Sequence, residues 1–140
     1  MGLYLALFAG DDEDDELDGV EIGGYDDFDA FRSAVQAHLE PSGWGSRFPT
    51  LMNHPDAAGV WTPADAARLE RDLVEIRDAF LGLPASPATD GWQQGVAASR
   101  GLRPASLHES FYDIDGEPLL DRLIGLARLS QDRSQPIWFQ

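Results

Sequence analysis

The chain opens with the apolar stretch Leu3-Tyr4-Leu5-Ala6-Leu7-Phe8, and this stretch decides the fold. In a strand, successive side chains point to opposite faces, so the six residues divide into two alternating sets. Both sets are apolar, a pattern typical of a strand that is covered on both sides. We therefore predict a strand in the middle of a β-sheet.

Three other stretches are candidates for neighbouring strands. In Gly19–Gly23, two aliphatic residues alternate with charge between glycines, which suits a short hairpin partner or an edge strand. Ile137–Phe139 is too apolar for a free tail, so we expect a terminal strand paired within the sheet. Arg47–Met52 can form one more strand, which Pro49 would limit to a sheet edge.

Helical patterns fill the middle of the chain. Asp26 can cap a first helix whose stripe ends near Leu39. The clearest helix is Thr62–Leu81, where an N-cap threonine is followed by proline at the first helical position and by Asp65 at the capping-box position. Its predicted buried stripe consists of Leu69, Leu73, Ile76 and Phe80.

The remaining segments complete the predicted fold. Trp92–Ser99 suits a short helix, Ser106–Asp113 is ambiguous, and Pro118 opens a leucine-rich helix that ends at Ser134-Gln135-Pro136. Strands near both termini with helices between them indicate an α+β or a layered α/β domain. We predict the α+β class, as one domain over residues 1–140, with a small mixed sheet packed against three to four helices.

The charge of the chain is high and uneven. There are 25 acidic and 10 basic residues, which gives a net charge of −15, and every basic residue is an arginine. Residues 1–31 contain eleven carboxylates and no basic group. Such a field repels nucleic acid and anionic lipid and favours encounter with a cationic partner. We therefore expect no direct binding to nucleic acid or membranes.

Cysteine usage and hydropathy bear on the compartment. The chain has no cysteine, which excludes disulfides and thiolate metal sites, and a reducing cytoplasm is the simpler expectation. The N-terminal stretch has neither the basic flank nor the cleavage site of a signal peptide, so it is interpreted as structure. No apolar run approaches the roughly 18 residues that span a bilayer.

Catalytic motifs are not indicated. The absence of lysine excludes a Walker A loop and a Schiff base, and no serine lies in a nucleophile-elbow motif. His108-Glu109-Ser110-Phe111-Tyr112 begins like a zinc motif but has tyrosine in place of the second histidine. Asp113–Glu117 resembles part of a calcium-binding loop, but the residues around it do not match the ligand positions of such a loop. We predict no catalytic, cofactor-binding or metal-binding residues.

The candidate partner-binding residues are carboxylates crowded into one loop, together with one aromatic residue. Seven carboxylates in a short loop repel one another, and a cationic partner would recover that cost, although acidity that only confers solubility is the simpler alternative. A tryptophan in a glycine-flanked loop is a candidate interface anchor, and core packing explains it equally well. The full set is Asp11, Asp12, Glu13, Asp14, Asp15, Glu16, Asp18 and Trp44.

The sequence also resembles a known family, the immunity protein 70 family of bacterial polymorphic-toxin systems. The resemblance covers nearly the whole chain. It implies an α+β protein of the cytoplasm that binds a cognate toxin domain and blocks it, and it carries no catalytic residues over. The segments that carry it are Met1–Leu5, Leu17–Gly23, Gly45–Leu51, Trp61 before its capped helix, Gly101–Leu107 and Asp115–Leu120.

These observations lead to three hypotheses. The first is an immunity protein, not an enzyme, whose acidic surface directs it to a basic surface on the C-terminal toxin domain of its partner. The second is an enzyme that uses Asp11, Asp14, Asp113 and Asp115 around magnesium or calcium. The third is an acidic scaffold for another basic protein. The sequence indicates no oligomeric state.

Overall fold

A computed structural model describes residues 2–10, 15–88 and 91–140. Four strands form one sheet in the order β2-β1-β4-β3. Their bounds are β1 Gly2–Phe8, β2 Glu16–Gly24, β3 Val60–Trp61 and β4 Ile137–Phe139.

The predicted arrangement of the strands is confirmed in three respects. The apolar N-terminal stretch forms β1, which lies in the interior of the sheet. The glycine-bracketed stretch forms β2, which is paired with β1 as a hairpin at one edge. The C-terminal stretch forms β4, which pairs with β1 on one side and β3 on the other.

The sheet differs from the predicted mixed one because all of its pairings are antiparallel. A parallel pair needs a long crossover that returns the chain to the same end of the sheet. Here the hairpin connects β1 to β2 directly, and the final turn after α6 returns β4 against the direction of β1.

Six helices are present in the described parts of the chain, which confirms the α+β class with more helices than predicted. Two of the six, α2 and α5, have only four residues each. The bounds are α1 Tyr25–Leu39, α2 Pro49–Met52, α3 Pro63–Leu81, α4 Gly91–Arg100, α5 Leu107–Ser110 and α6 Leu119–Arg133.

The predicted strand at Arg47–Met52 is wrong. Pro49 occupies the first turn of α2, where its missing N–H costs nothing. The N–H groups of Arg47 and Phe48 donate to the side chain of Glu40, at 2.9 Å each, so they are not available to a neighbouring strand.

The cap of α1 also differs from the prediction. The helix begins one residue before Asp26, and Gly24 is its N-cap. The side chain of Asp27 accepts a hydrogen bond from the Gly24 N–H at 2.6 Å. The cap of α3, in contrast, is the predicted one, because Thr62 and Asp65 exchange both hydrogen bonds of a capping box.

One hydrophobic cluster joins the sheet to the helices. One face of β1 contributes Leu3, Leu5 and Leu7, each fully buried. The predicted stripe of α3 is buried in the same cluster, and α3 packs closely against α6. The opposite face of β1 carries Tyr4, Ala6 and Phe8, which lie outside this cluster, and of these three only Tyr4 is partly exposed. None of the helices described has the length and apolar content needed to cross a membrane.

Candidate protein-interaction surface

The acidic loop lies only partly within the described residues. Four of its predicted binding residues, Asp11, Asp12, Glu13 and Asp14, fall outside them. Asp15 and Glu16 are exposed at the start of β2, and Asp18 is half-buried. The part of the acidic loop that the structure describes therefore lies at the start of the edge strand β2.

Asp18 connects β2 to the last helix. Its Oδ1 accepts a hydrogen bond from Nη2 of Arg122 at 3.2 Å, and the same nitrogen donates to the Gly19 carbonyl at 2.6 Å. Burial alone would lower the pKa of Arg122, but Asp18 and then Asp113 outweigh it and raise that pKa. The charge of Asp18 is therefore already paired with Arg122, and this ion pair joins β2 to α6.

The outer face of the sheet is the side of β1 turned away from the hydrophobic cluster. Residues directly opposite in an antiparallel pair share a face, and Tyr4 lies opposite Glu21 whereas Phe8 lies opposite Glu16. Ala6, between them, lies opposite Trp138 on β4. We call the surface formed by Tyr4, Glu16, Glu21 and Trp138 the open sheet face.

An aromatic ring surrounded by acids occupies the open sheet face. The Tyr4 ring crosses Gly19 so closely that a β-carbon there would lie 2.0 Å from the Tyr4 hydroxyl. Burial, the nearby Glu16 carboxylate, and the charges of Asp18 and Glu21 together raise the pKa of Tyr4 to about 12. Glycine at position 19 is thus required for the tyrosine to lie flat on the sheet.

Trp138 is the most unusual residue of this face. It lies in an interior strand, between Ala6 on β1 and Val60 on β3, yet it is 45% exposed. Sequence analysis did not select Tyr4, Glu21 or Trp138 as site residues. Because Ile137 and Phe139 are buried, the alternation of side chains along β4 directs Trp138 away from the core.

Trp44, the predicted aromatic anchor, is also 45% exposed. Its indole N–H donates to the Met52 carbonyl at 2.7 Å, and its ring lies 5.7 Å from the guanidinium carbon of the buried Arg32. The loop that carries Trp44 is hydrogen-bonded to Glu40, which is completely buried. An exposed ring on a fixed loop suits a contact with a partner.

Glu40 holds this loop through backbone groups alone. Its carboxylate accepts hydrogen bonds from the N–H groups of Gly45, Arg47 and Phe48, at 2.9 to 3.0 Å. Gly45 has a positive φ of 76°, and a β-carbon there would collide with Asn53. The Trp44 loop is therefore specified by one buried acid and one glycine, neither of which sequence analysis identified.

Of the carboxylates of the second hypothesis, Asp113 is engaged by the fold itself. Asp113 is 1% exposed, and its Oδ1 accepts hydrogen bonds from the N–H groups of Asp115 and Glu117 at 3.0 Å each. Its Oδ2 lies 3.4 Å from Nε of Arg122. Across residues 2–10, 15–88 and 91–140, no three histidine or acidic side chains form a group able to hold a metal ion.

Comparison with known proteins identifies the family of this chain. A family model described as immunity protein 70 matches residues 8–139. The chain belongs to the immunity protein 70 family. No curated protein and no solved structure matches it.

In this immunity protein 70 chain, the segments that carry the resemblance form structural junctions. Leu17–Gly23 lies within β2, where Asp18 meets α6. Gly45–Leu51 covers the loop held by Glu40 and the start of α2. Asp115–Leu120 covers the turn held by Asp113 and the start of α6. Each of these three segments therefore lies where two elements of the fold meet.

Proposed function

We propose that this protein is an immunity protein that binds a cognate bacterial toxin domain and neutralises it. Membership of the immunity protein 70 family, over residues 8–139, is the observation that carries the proposal. Neutralisation requires only that the bound protein covers a functional surface of the toxin. The protein would therefore act in the cytoplasm as a binding partner and not as an enzyme.

We further propose that the acidic surface guides this protein to a basic surface of the toxin. Within residues 15–31, carboxylates are exposed along β2 and the first turns of α1, and no basic residue lies among them. Long-range attraction of this kind raises association rates by about tenfold to a thousandfold at low salt. The described exposed members are Asp15, Glu16, Glu21, Asp26 and Asp29.

Co-expression tests neutralisation directly. The C-terminal domain of the protein encoded by the adjacent reading frame is expressed alone and together with this protein, and cell survival and complex formation are measured. We expect the domain to arrest growth alone, survival when both are present, and co-purification as a stable complex. A toxic domain that neither binds this protein nor is blocked by it would contradict the proposed function.

Neutralising the acidic segment with amides tests the guidance. Converting Asp11–Glu16 to asparagine and glutamine changes the net charge from −15 to −9, and we expect association at low salt to slow by about tenfold with a shallower salt dependence. The rate is measured by stopped-flow mixing with the toxin domain at two salt concentrations.

The matched control removes the same number of charges elsewhere. It carries amides at six accessible acids, and its net charge is also −9. Its association rate should stay closer to that of the unmodified protein, because the removed charges lie outside the acidic segment. Equal rates and salt slopes in both variants would refute guidance by this segment. The control positions are Asp56, Glu75, Asp78, Asp115, Glu117 and Asp132.

A further inference from the structure

The open sheet face combines an exposed aromatic residue with a central position. Trp138 belongs to β4, which has a hydrogen-bonded strand on either side. Its cross-strand neighbours are Ala6, which is fully buried, and Val60, which is half-buried, so the indole is the most exposed side chain of the three. Exposed tryptophans at the centre of a surface are the residues that most often dominate binding energy in protein interfaces.

The charge of this face has one sign. Glu16 and Glu21 are both exposed on the edge strand β2, on the same face as Tyr4 and Trp138. None of the four described strands contains arginine, lysine or histidine. Carboxylates beside aromatic rings form a surface complementary to guanidinium and ammonium groups, which bind by ion pairing at the acids and over the faces of the rings.

We propose that the open sheet face is the docking surface for a cationic region of the toxin, with Trp138 at its centre. The inference rests on the proposed function and specifies where on this protein the toxin binds. Arginine and lysine side chains of the toxin would contact Glu16 and Glu21, and one of them would lie over the rings of Tyr4 or Trp138. The exposed Asp15 directly precedes β2, so its charge adds to the acidity at this edge of the sheet.

Substitution of Trp138 provides the test. Trp138→Ala should weaken the equilibrium affinity for the toxin domain by at least about thirtyfold, which corresponds to about 2 kcal/mol. Trp138→Arg should weaken it further, because a cation would then face a cationic partner. Trp138→Phe, which keeps an aromatic ring, should retain most of the affinity. Affinities are measured by titration calorimetry with the purified toxin domain.

Two further variants separate this face from other surfaces. Leu81→Ala removes an exposed apolar side chain at the end of α3, off the sheet, and should leave the affinity unchanged. The double variant Glu16→Gln with Glu21→Gln should lower the association rate at low salt. Circular dichroism and melting temperatures establish that each variant is folded. The double variant also tests the open sheet face without altering Trp138, because Glu16 and Glu21 are exposed.

The outcomes are distinguishable from failure of the proposed function. If the unmodified protein does not bind the toxin domain, the proposed function itself fails. If it binds and both Trp138→Ala and Trp138→Arg bind equally well, the open sheet face is not the docking surface, and the family function stands. A loss confined to Trp44→Ala would likewise overturn the inference and place the interface on the Trp44 loop.

Discussion

The hydroxyl of Tyr4 shows how strongly single residues respond to the local acidity. Its pKa is raised to about 12, first by burial and then by Glu16, Asp18 and Glu21. An unfolded tyrosine ionises near about pH 10, so the folded state holds this proton more tightly than the unfolded state. The stabilisation is complete below about pH 10 and is lost as the pH rises towards 12.

We therefore predict that the free energy of unfolding falls between about pH 10 and about pH 12, measured by urea denaturation. In Tyr4→Phe, which keeps the ring but has no proton to lose, the fall should be smaller. Glu16→Gln should lower the pKa of Tyr4 in a spectrophotometric titration of the phenol. An identical loss of stability in the protein and in Tyr4→Phe would contradict this assignment.

Asp113 is a second residue whose role is structural. Its carboxylate satisfies two backbone N–H groups and faces Arg122, so Asp113→Ala leaves two part-buried donors without this acceptor. We predict a loss of about 2 to 3 kcal/mol in the free energy of unfolding. Asp115→Ala, at an exposed position of the same turn, should change it by less than about 0.5 kcal/mol. Equal effects would show that the turn does not depend on Asp113.

At the scale of elements, the loop between α1 and α2 depends on the end of α1. Glutamine at position 40 can accept hydrogen bonds at only one of its two terminal atoms, so Glu40→Gln loses part of the support for Gly45, Arg47 and Phe48. We predict a loss of about 1 to 3 kcal/mol in the free energy of unfolding and faster hydrogen exchange at the Gly45 amide.

The matched control for this element is Glu117→Gln, at an exposed glutamate. It should leave both the stability and the exchange rate of the Gly45 amide unchanged, since surface substitutions of this kind cost less than about 0.5 kcal/mol. If Glu40→Gln behaved like this control, the Trp44 loop would be held by other contacts, among them the bond from the Trp44 indole to Met52.

For the whole molecule, the net charge of −15 opposes compaction. Seven arginine–carboxylate ion pairs are found among the described residues, most of them with at least one exposed side chain, and such pairs contribute little. Raising the ionic strength from 0.01 M to 0.15 M shortens the screening length from about 30 to about 8 Å and weakens the repulsion. We therefore predict that the melting temperature rises with salt.

The variant with amides at Asp11–Glu16 should show a smaller rise, because less repulsion remains to be screened. Differential scanning calorimetry at the two ionic strengths measures both. A melting temperature that falls with salt would mean that the local ion pairs outweigh the repulsion of the whole molecule.

Local patterns in the sequence predicted several features of this protein. Two apolar faces in six residues predicted β1 in the interior of the sheet, because a strand that is apolar on both alternating faces is typical of the buried middle of a sheet. Thr62, Pro63 and Asp65 located the start of α3, because a helix cap involves residues three positions apart. The concentration of acids at one end of the chain is likewise visible without coordinates.

Tertiary structure alone decided the rest, because the partners are distant in sequence or belong to the backbone. Arg122 meets Asp18 across 104 positions, and no local pattern links them. Glu40 accepts its hydrogen bonds from backbone N–H groups. Because every residue except proline has such a group, the sequence does not identify the partners of Glu40. The sequence predicted a strand at Ile137–Phe139, but only the packing of the helices onto one face of the sheet decided that the Trp138 side chain is exposed on the other.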